Sequence, residues 1–576
     1  MIYKLIEDSL NDLNSPIVTV LKNRGIKDVV QYLNLKEASR TTFSDLDYIQ
    51  DAVDMFDRHF SAKSPIGILA DNDVDGVCSA TLMYKFVKEL DDNYDVRIYV
   101  HKKNKSHGLS DNDVDIDEDI KLLIVPDAGS NEVFEHKMLH EKGIDCICAD
   151  HHQVVTYIED SPAVILNNQS SKNYNNKNCC GASITLEFCR ALEGYYWEEV
   201  CDKYLDLVAV ANVCDVMDIT EFETKAIINE GLIDINNKML QEIIKAQDFS
   251  MKGVVNPHTV GFYIGPLINA FIRLATFEER QLLIKAFCED ESKVFEYTKR
   301  GESLPTKENI YEHVVRLMKS YKGKQDRSRD KAVKLLLDKA SNYNNDKVAI
   351  IDATEEIEGP LTGLVAIKIS EYIHKPVLLV REYEGSLAGS GRAFNNCPIE
   401  DFRSLVEDNP YMDWGSGHPS AFGCQLPANN IDDARKWFND KLKDIGMDKV
   451  YHVDFIIDVD DLTVGFIQVI DSHQCLWGHG VSEPLVAIEN ITIKRSDVNI
   501  QGKSFDSVAF TINDIKFVEF KMSEDNKLLS WASEWDGDEL DEITLNIVGE
   551  VSLNEYKGIY TPQVIIKESM VTNGLD

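Results

Sequence analysis

The stretch that most constrains the fold is Ile66-Gly67-Ile68-Leu69-Ala70-Asp71-Asn72-Asp73-Val74-Asp75-Gly76, an apolar run that stops in three carboxylates at alternate positions, then a glycine. Such a run, ended by a polar turn, predicts a buried strand. Alternate carboxylates on one extended segment repel unless cations neutralise them, and hard oxygen donors suit Mg2+, Mn2+ or Ca2+. Asp71-x-Asp73-x-Asp75-Gly76 opens like a calcium loop of the EF-hand type, but the twelfth position is Leu82 where a bidentate glutamate belongs. A solvated acidic turn is the plain alternative in an acidic chain.

Further on, β-like runs alternate with amphipathic ones. Ile66–Ala70 leads to helix-like Val77–Leu90, followed by Val96–Val100, Leu122–Val125, Ile144–Cys148 and Ala163–Leu166. That alternation predicts an α/β fold with a doubly wound parallel sheet, whose ligands gather beyond the carboxyl ends of the strands. Those ends are acidic. Leu122–Pro126 runs into Asp127-Ala128-Gly129-Ser130, and Ile147-Cys148-Ala149 into Asp150-His151-His152. Leu207–Ala211, read as another strand, leads through Asn212-Val213-Cys214 to Asp215. One acid at a strand end is an ordinary turn residue. Several, with two adjacent histidines, fit a hydrolytic centre holding two cations about 3.5–4 Å apart, one activating water and the other stabilising phosphoryl charge.

Composition bounds the rest. A chain of 576 residues, 44% hydrophobic, has material for roughly three or four domains. It has no uninterrupted apolar run of about 18 residues and no basic-then-apolar leader at Met1-Ile2-Tyr3-Lys4, so the expectation is a cytoplasmic protein with no membrane partner. Among twelve cysteines, Cys146/Cys148 and Cys179-Cys180 lack zinc-site spacing and read as reduced structural thiols. A net charge of −38 counts against general coating of nucleic acid, so any such contact is expected to be a local basic groove assisted by divalent metal.

The order Asp71-Asn72-Asp73-Val74-Asp75-Gly76, Asp127-Ala128-Gly129, Asp150-His151-His152 and Asp215 resembles the four motifs of the DHH phosphoesterase superfamily. Within it, most of the chain resembles the RecJ-type single-strand-specific exonucleases. Arg24-Gly25-Ile26 is similar to the entry segment of that family, Cys180-Gly181-Ala182 to the glycine segment before a core helix, and Gly265–Leu274 to the stretch ending its first domain. Gly389-Ser390-Gly391-Arg392 and Gly415-Ser416-Gly417-His418 resemble the glycine motifs of the DHH-associated domain, although Ser416 separates two glycines that are usually adjacent.

The resemblance implies a two-metal Mn2+ or Mg2+ site with Asp73, Asp75, Asp127, His151 and Asp215 as ligands and Asp71 as an auxiliary one. Leu69 stands where many members carry a histidine. It further implies His152 at the phosphate, Asp150 behind the histidines, and substrate contacts from Lys102, Lys103, His107, Asn269, Arg273, Ser390, Arg392 and His418. The loop His101–Leu109 lacks the usual arginine; Lys102 or Lys103 is the nearest substitute, and a point charge grips a 5′ phosphate more loosely than a bidentate fork. The implied activity is a metal-dependent 5′-to-3′ exonuclease releasing mononucleotides from single-stranded DNA in repair, recombination or replication. A single-strand-binding protein or a helicase is the candidate protein partner. One rival is a phosphodiesterase for short oligonucleotides or cyclic dinucleotides, disfavoured by the connector and barrel. The other is a catalytically inactive replication scaffold, disfavoured by the retained acids and histidines.

Five segments are expected. They are an N-terminal helical segment (1–60), a DHH catalytic domain (61–275), a helical connector (276–343), a smaller α/β DHH-associated domain (344–448) and an OB-like β-barrel (449–576). The connector is read from Phe277–Cys288, Val294–Arg300 and Glu308–Tyr321. The barrel includes Trp477-Gly478-His479-Gly480, with Lys494, Arg495, Lys503, Phe505, Lys516 and Phe517 as candidates for following phosphates and stacking bases.

Overall fold

The computed structural model describes residues 1–7, 11–35, 42–104, 106–109, 113–299, 301, 303–340, 345–357, 361–447, 449–502, 505–522, 526–533 and 541–573. It forms two compact units, each discontinuous in sequence. One comprises Arg24–Lys322 with His473–Glu483, the other Met1–Asn23 with Gly323–Ser472 and Pro484–Asp576.

The first unit is built on a sheet of five parallel strands, β1 (Ile66–Ala70), β2 (Val96–Val100), β3 (Leu122–Pro126), β4 (Asp145–Asp150) and β5 (Val164–Asn167), in the order 2-1-3-4-5. β1 and β3 are buried along their whole length, which is why they read as continuous apolar runs rather than alternating ones. In this order the chain switches direction between β1 and β3, and the crevice beyond that switch point is where a doubly wound sheet takes its ligand. Asp71 follows β1 and Asp127 follows β3, so topology alone brings the first two acidic motifs together.

Four helices complete the setting: α1 (Val74–Leu90), α2 (Gly181–Tyr196), α3 (Leu205–Cys214) and α4 (Gly265–Leu274). The strand expected over Leu207–Ala211 is instead the interior of α3, and Asp215 is the helix C-cap. Every residue from Leu205 to Asn212 is buried, so no polar stripe marks the helical period, and a short apolar run of that kind is indistinguishable from a strand by periodicity.

The connector differs too. Phe277–Phe287 is a helix, but Phe295–Tyr297 pairs antiparallel with Thr306–Glu308, and Ile310–Ala340 is one continuous helix. Phe295 and Tyr297, two residues apart, share a face only in a strand. Phe295 stacks on His313 at 3.9 Å, and the Arg316 guanidinium lies 3.8 Å from the Tyr297 ring centre. Arg300, the last residue of the expected helix, lies outside the described residues. Trp477-Gly478-His479-Gly480, expected in the barrel, belongs to the first unit: Ile219 donates its N–H to the His479 carbonyl at 3.0 Å.

In the second unit, Ile2–Leu5 is a strand rather than part of a helical segment, paired parallel with Val450–Val453. A five-stranded sheet follows: β6 (Ala349–Asp352), β7 (Val377–Tyr383), β8 (Ser386–Arg392), β9 (Trp414–His418) and β10 (Ala421–Leu426), ordered 9-10-8-7-6. The last sheet has seven strands centred on the long pair Glu542–Tyr556 and Ile559–Asn573. There Phe517 is buried and stacked on Phe510 at 5.1 Å, which makes it core and not a base platform, whereas Phe505 is 71% exposed. Lys503 lies outside the described residues.

The glycines of β8 are required by packing. A Cβ on Gly389 would sit 2.0 Å from the Leu379 carbonyl oxygen, and one on Gly391 2.3 Å from the Phe422 ring. Overpacking of this kind costs about 1–3 kcal/mol. Gly391→Ala is expected to destabilise its unit by that amount, and Gly389→Ala by more, because a backbone carbonyl yields less than a ring. Urea unfolding of the two variants checks this, and unchanged midpoints would remove the packing argument.

Candidate metal centre

Each ligand candidate is delivered by an element boundary. Asp71 leaves β1, Asp73 caps α1 by accepting from the Gly76 N–H at 2.9 Å, and Asp75 lies in the first helical turn. The turn is possible only with glycine at 76, where a Cβ would lie 2.6–2.7 Å from the Asp71 main chain and Cβ. Asp127, directly after β3, adopts φ +64°, a region that aspartate tolerates better than most residues, and donates its N–H to the Ala149 carbonyl at 2.8 Å. Asp150 ends β4 and His151 follows.

These groups converge. His151 Nε2 lies 3.3 Å from Asp127 Oδ1, 3.5 Å from Asp215 Oδ2 and 3.9 Å from Asp75 Oδ2. Ligand atoms of Asp75, His151 and Asp215 fall within 4.8 Å of one another, and so do those of Asp71, Asp73 and Asp127. The two groups share no residue, and a third, Asp127, His151 and His152, overlaps both.

The protein itself neutralises part of this charge. Asp75 accepts the Gly181 N–H at 2.6 Å and the Ala182 N–H at 2.8 Å, so its carboxylate sits at the positive N-terminus of α2. Burial would raise the Asp71 carboxyl, but hydrogen bonds with His101 and His107 outweigh it and hold the group below the usual carboxylate range. His107 Nδ1 lies 2.6 Å from Asp71 Oδ2, and the Gly108 N–H donates to Oδ1 at 3.1 Å. Asp150 is likewise held low: the His152 hydrogen bond, the His152 charge and the Ser130 side chain overcome its burial. It accepts from His152 Nδ1 at 2.8 Å and from the backbone N–H groups of Ser130, His151 and His152.

The remaining acids are left exposed to one another's fields. Burial, then Asp71 and Asp75, push Asp73 up to about 6. Burial, then Asp75 and Asp73, push Asp215 up to about 8. Asp127 is raised well above its ordinary value by burial and four neighbouring aspartates, and its buried Oδ1 has no hydrogen-bond donor. An oxygen-rich donor set with one imidazole, no thiolate and an orphaned carboxylate oxygen fits Mn2+ or Mg2+. Burial pushes His151 down, leaving a neutral ring with a lone pair to offer.

Around this centre the expected substrate residues divide. His107 is at the site, its ring 4.9 Å from that of His152. Lys102 and Lys103 begin the same loop; the Lys102 ammonium pairs with Asp115 at 2.5 Å. Asn269 lines a cavity of about 310 Å³ with Cys214 and His479, and Arg273 is exposed at the end of α4, where its carbonyl accepts from Asn104 of the loop at 2.9 Å. Ser390, Arg392 and His418 belong to the other unit. Ser390 Oγ is 2.9 Å from Thr362 Oγ1, Arg392 donates to the Gly391 carbonyl at 2.6 Å, and His418 ends β9.

Two residues escaped the sequence reading. His101 is fully buried, its Nδ1 2.9 Å from Asp113 and its Nε2 3.3 Å from Asp71. It directly follows β2, so the strand-end rule that found the aspartates applies to it. Arg280 donates to the carbonyls of His101 and Lys102 and to Asn104 Oδ1, fixing the loop from beneath; no local signal marks it.

The sheet, the strand-end acids and the Asp-His-His step make this a DHH-type phosphoesterase domain. A family model described as the DHH family, N-terminal domain, matches residues 65–212, and one described as the RecJ OB domain matches residues 453–568. The chain is 35% identical to YorK of Bacillus subtilis strain 168, described as an SPbeta prophage-derived single-strand DNA-specific exonuclease, over 99% of this chain and 98% of that one. It is 26% identical to the single-stranded-DNA-specific exonuclease RecJ of the same organism, over 96% of this chain and 68% of the relative. Thermus thermophilus RecJ, crystallised with Mn2+, shares the fold with a TM-score of 0.73 at 19% identity, covering 97% of this chain and 76% of that one. The chain belongs to the RecJ-like family of DHH proteins.

The raised carboxyls set the pH dependence expected of stability and of cation binding at this centre. With Asp73 titrating near 6 and Asp215 near 8, against about 3.9 unfolded, the cation-free fold binds the extra protons. Its stability therefore falls as pH rises from about 4 to 8. Cations need the unprotonated carboxylates, so Mn2+ at a hundred times its Kd is expected to add about 2.7 kcal/mol at pH 8. At the same Mn2+ concentration the gain shrinks toward pH 5. Thermal melts with and without Mn2+ at both pH values measure the difference, and an equal shift at both contradicts the assignment.

Proposed function

We propose that this protein is a metal-dependent exonuclease that releases mononucleotides from single-stranded DNA in the 5′-to-3′ direction, acting in the cytoplasm in repair, recombination or replication. The observation that carries the reading is the pair of separate donor groups, Asp71/Asp73/Asp127 and Asp75/His151/Asp215, with His151 Nε2 also 3.3 Å from Asp127. Two Mn2+ or Mg2+ ions bound there would supply positive charge to the phosphodiester oxygens and acidify the attacking water.

The chain's own groups position the substrate. Burial would lower His152, but its hydrogen bond with Asp150 outweighs this and raises it, favouring the protonated ring that can donate to a phosphate oxygen. His107, pushed up to about 9 by Asp71 against the effect of burial, presents a second cationic ring to the same space. Lys102, Lys103, Asn269, Arg273, Ser390, Arg392 and His418 are assigned to strand contacts. The names of the relatives support single-stranded DNA as substrate, and the matched OB domain supports strand binding. Direction rests on the family resemblance. A single-strand-binding protein or a helicase is the proposed supplier of substrate.

Asp127→Asn tests the centre with the least disturbance, since asparagine also tolerates a positive φ. With Mn2+ and end-labelled single-stranded DNA, turnover is expected to fall at least a thousandfold while the circular dichroism spectrum is unchanged. Near-normal release of mononucleotides would refute the assignment, and products from duplex or from the 3′ end would refute the substrate and direction.

A further inference from the structure

A second cluster of ligand-competent side chains lies outside the carboxylate centre. Cys146 and Cys148 alternate along β4 and so share one face, their sulfurs 3.9 Å apart. His136, from the helix Val133–Glu141, brings Nε2 to 3.4 Å from Cys148 Sγ. All three residues are at most 2% exposed, and one ligand atom from each falls within 4.8 Å of the others. Spacing in sequence concealed this, because the third donor comes from another element.

The geometry points to a Zn2+ site formed by His136, Cys146 and Cys148, distinct from the carboxylate centre. His136 Nδ1 lies 2.9 Å from Ser161 Oγ, an outer partner of the kind that orients a ligating imidazole and leaves Nε2 to the metal. Burial pushes His136 down to about 4, so the ring is neutral at physiological pH. Binding exchanges two thiol protons for the cation. Two thiolates and a neutral imidazole around a dication carry no net charge, which suits a buried position. Three protein donors leave the fourth tetrahedral position to a small ligand such as water. Hard cations prefer the carboxylate oxygens and thiophilic ones the sulfurs, so the two centres sort their metals.

The site also braces the catalytic strand ends. Cys148 is two residues from Asp150 on the same strand, and a Cβ at Gly129 would lie 2.5 Å from Cys148 Sγ, so the sulfur packs directly against the turn that carries Asp127.

The test uses the full-length protein with excess Mn2+ to occupy the carboxylates and one equivalent of Zn2+. X-ray absorption at the zinc edge is expected to show sulfur scatterers at about 2.3 Å. A shell of oxygen and nitrogen alone overturns the proposal, and this measurement needs no variant. In parallel, Co2+ is expected to give a thiolate-to-metal charge-transfer band that is lost in Cys146→Ser and in Cys148→Ser but kept in Asp127→Asn. A band that survives in both cysteine variants, or disappears in Asp127→Asn, overturns it equally.

Discussion

Mutual repulsion among carboxylates gathered at one end of a parallel sheet is the constraint on which the catalytic unit depends. Asp71, Asp73, Asp75, Asp127 and Asp215 are drawn into one crevice by the 2-1-3-4-5 strand order and the end of α3. The fold relieves two of them directly: the N-terminus of α2 faces Asp75, and two histidines face Asp71. Relief is incomplete at Asp73, Asp127 and Asp215, whose carboxyls are held above their ordinary range by burial and by one another's charge.

The same logic explains why the surrounding glycines are fixed. Gly76 lets the first turn of α1 fold back onto Asp71, and Gly181 lets α2 start against Asp127, where a Cβ would lie 2.6 Å from the Asp127 Cα. A methyl group at either position would push one acid out of range of its partners. Precision in the crevice therefore comes from backbone contact as much as from the acidic side chains.

Much of this was legible in the sequence. Apolar runs ending in Asp71, Asp127 and Asp150 located the crevice, because buried parallel strands leave an unbroken hydrophobic signature and their ends collect polar function. Asp215 does reach the crevice, but from the end of a helix and not of a strand, since the fully buried α3 has no amphipathic period to read. His101 and Arg280 stayed hidden because their roles arise from tertiary contacts, and His101 was read only for its place in a basic loop. The hairpin at Phe295–Tyr297 was mistaken for helix because its aromatic pair finds its partners on a distant helix.

The interleaving of the two units has a consequence for biosynthesis. The strand Ile2–Leu5 is made about 450 residues before its partner Val450–Val453, and the first unit receives His473–Glu483 only after that. At ~5–20 residues per second the opening strand waits roughly 20–90 s on the ribosome before it can pair. A nascent fragment ending before residue 473 therefore lacks part of the unit that carries the acidic crevice.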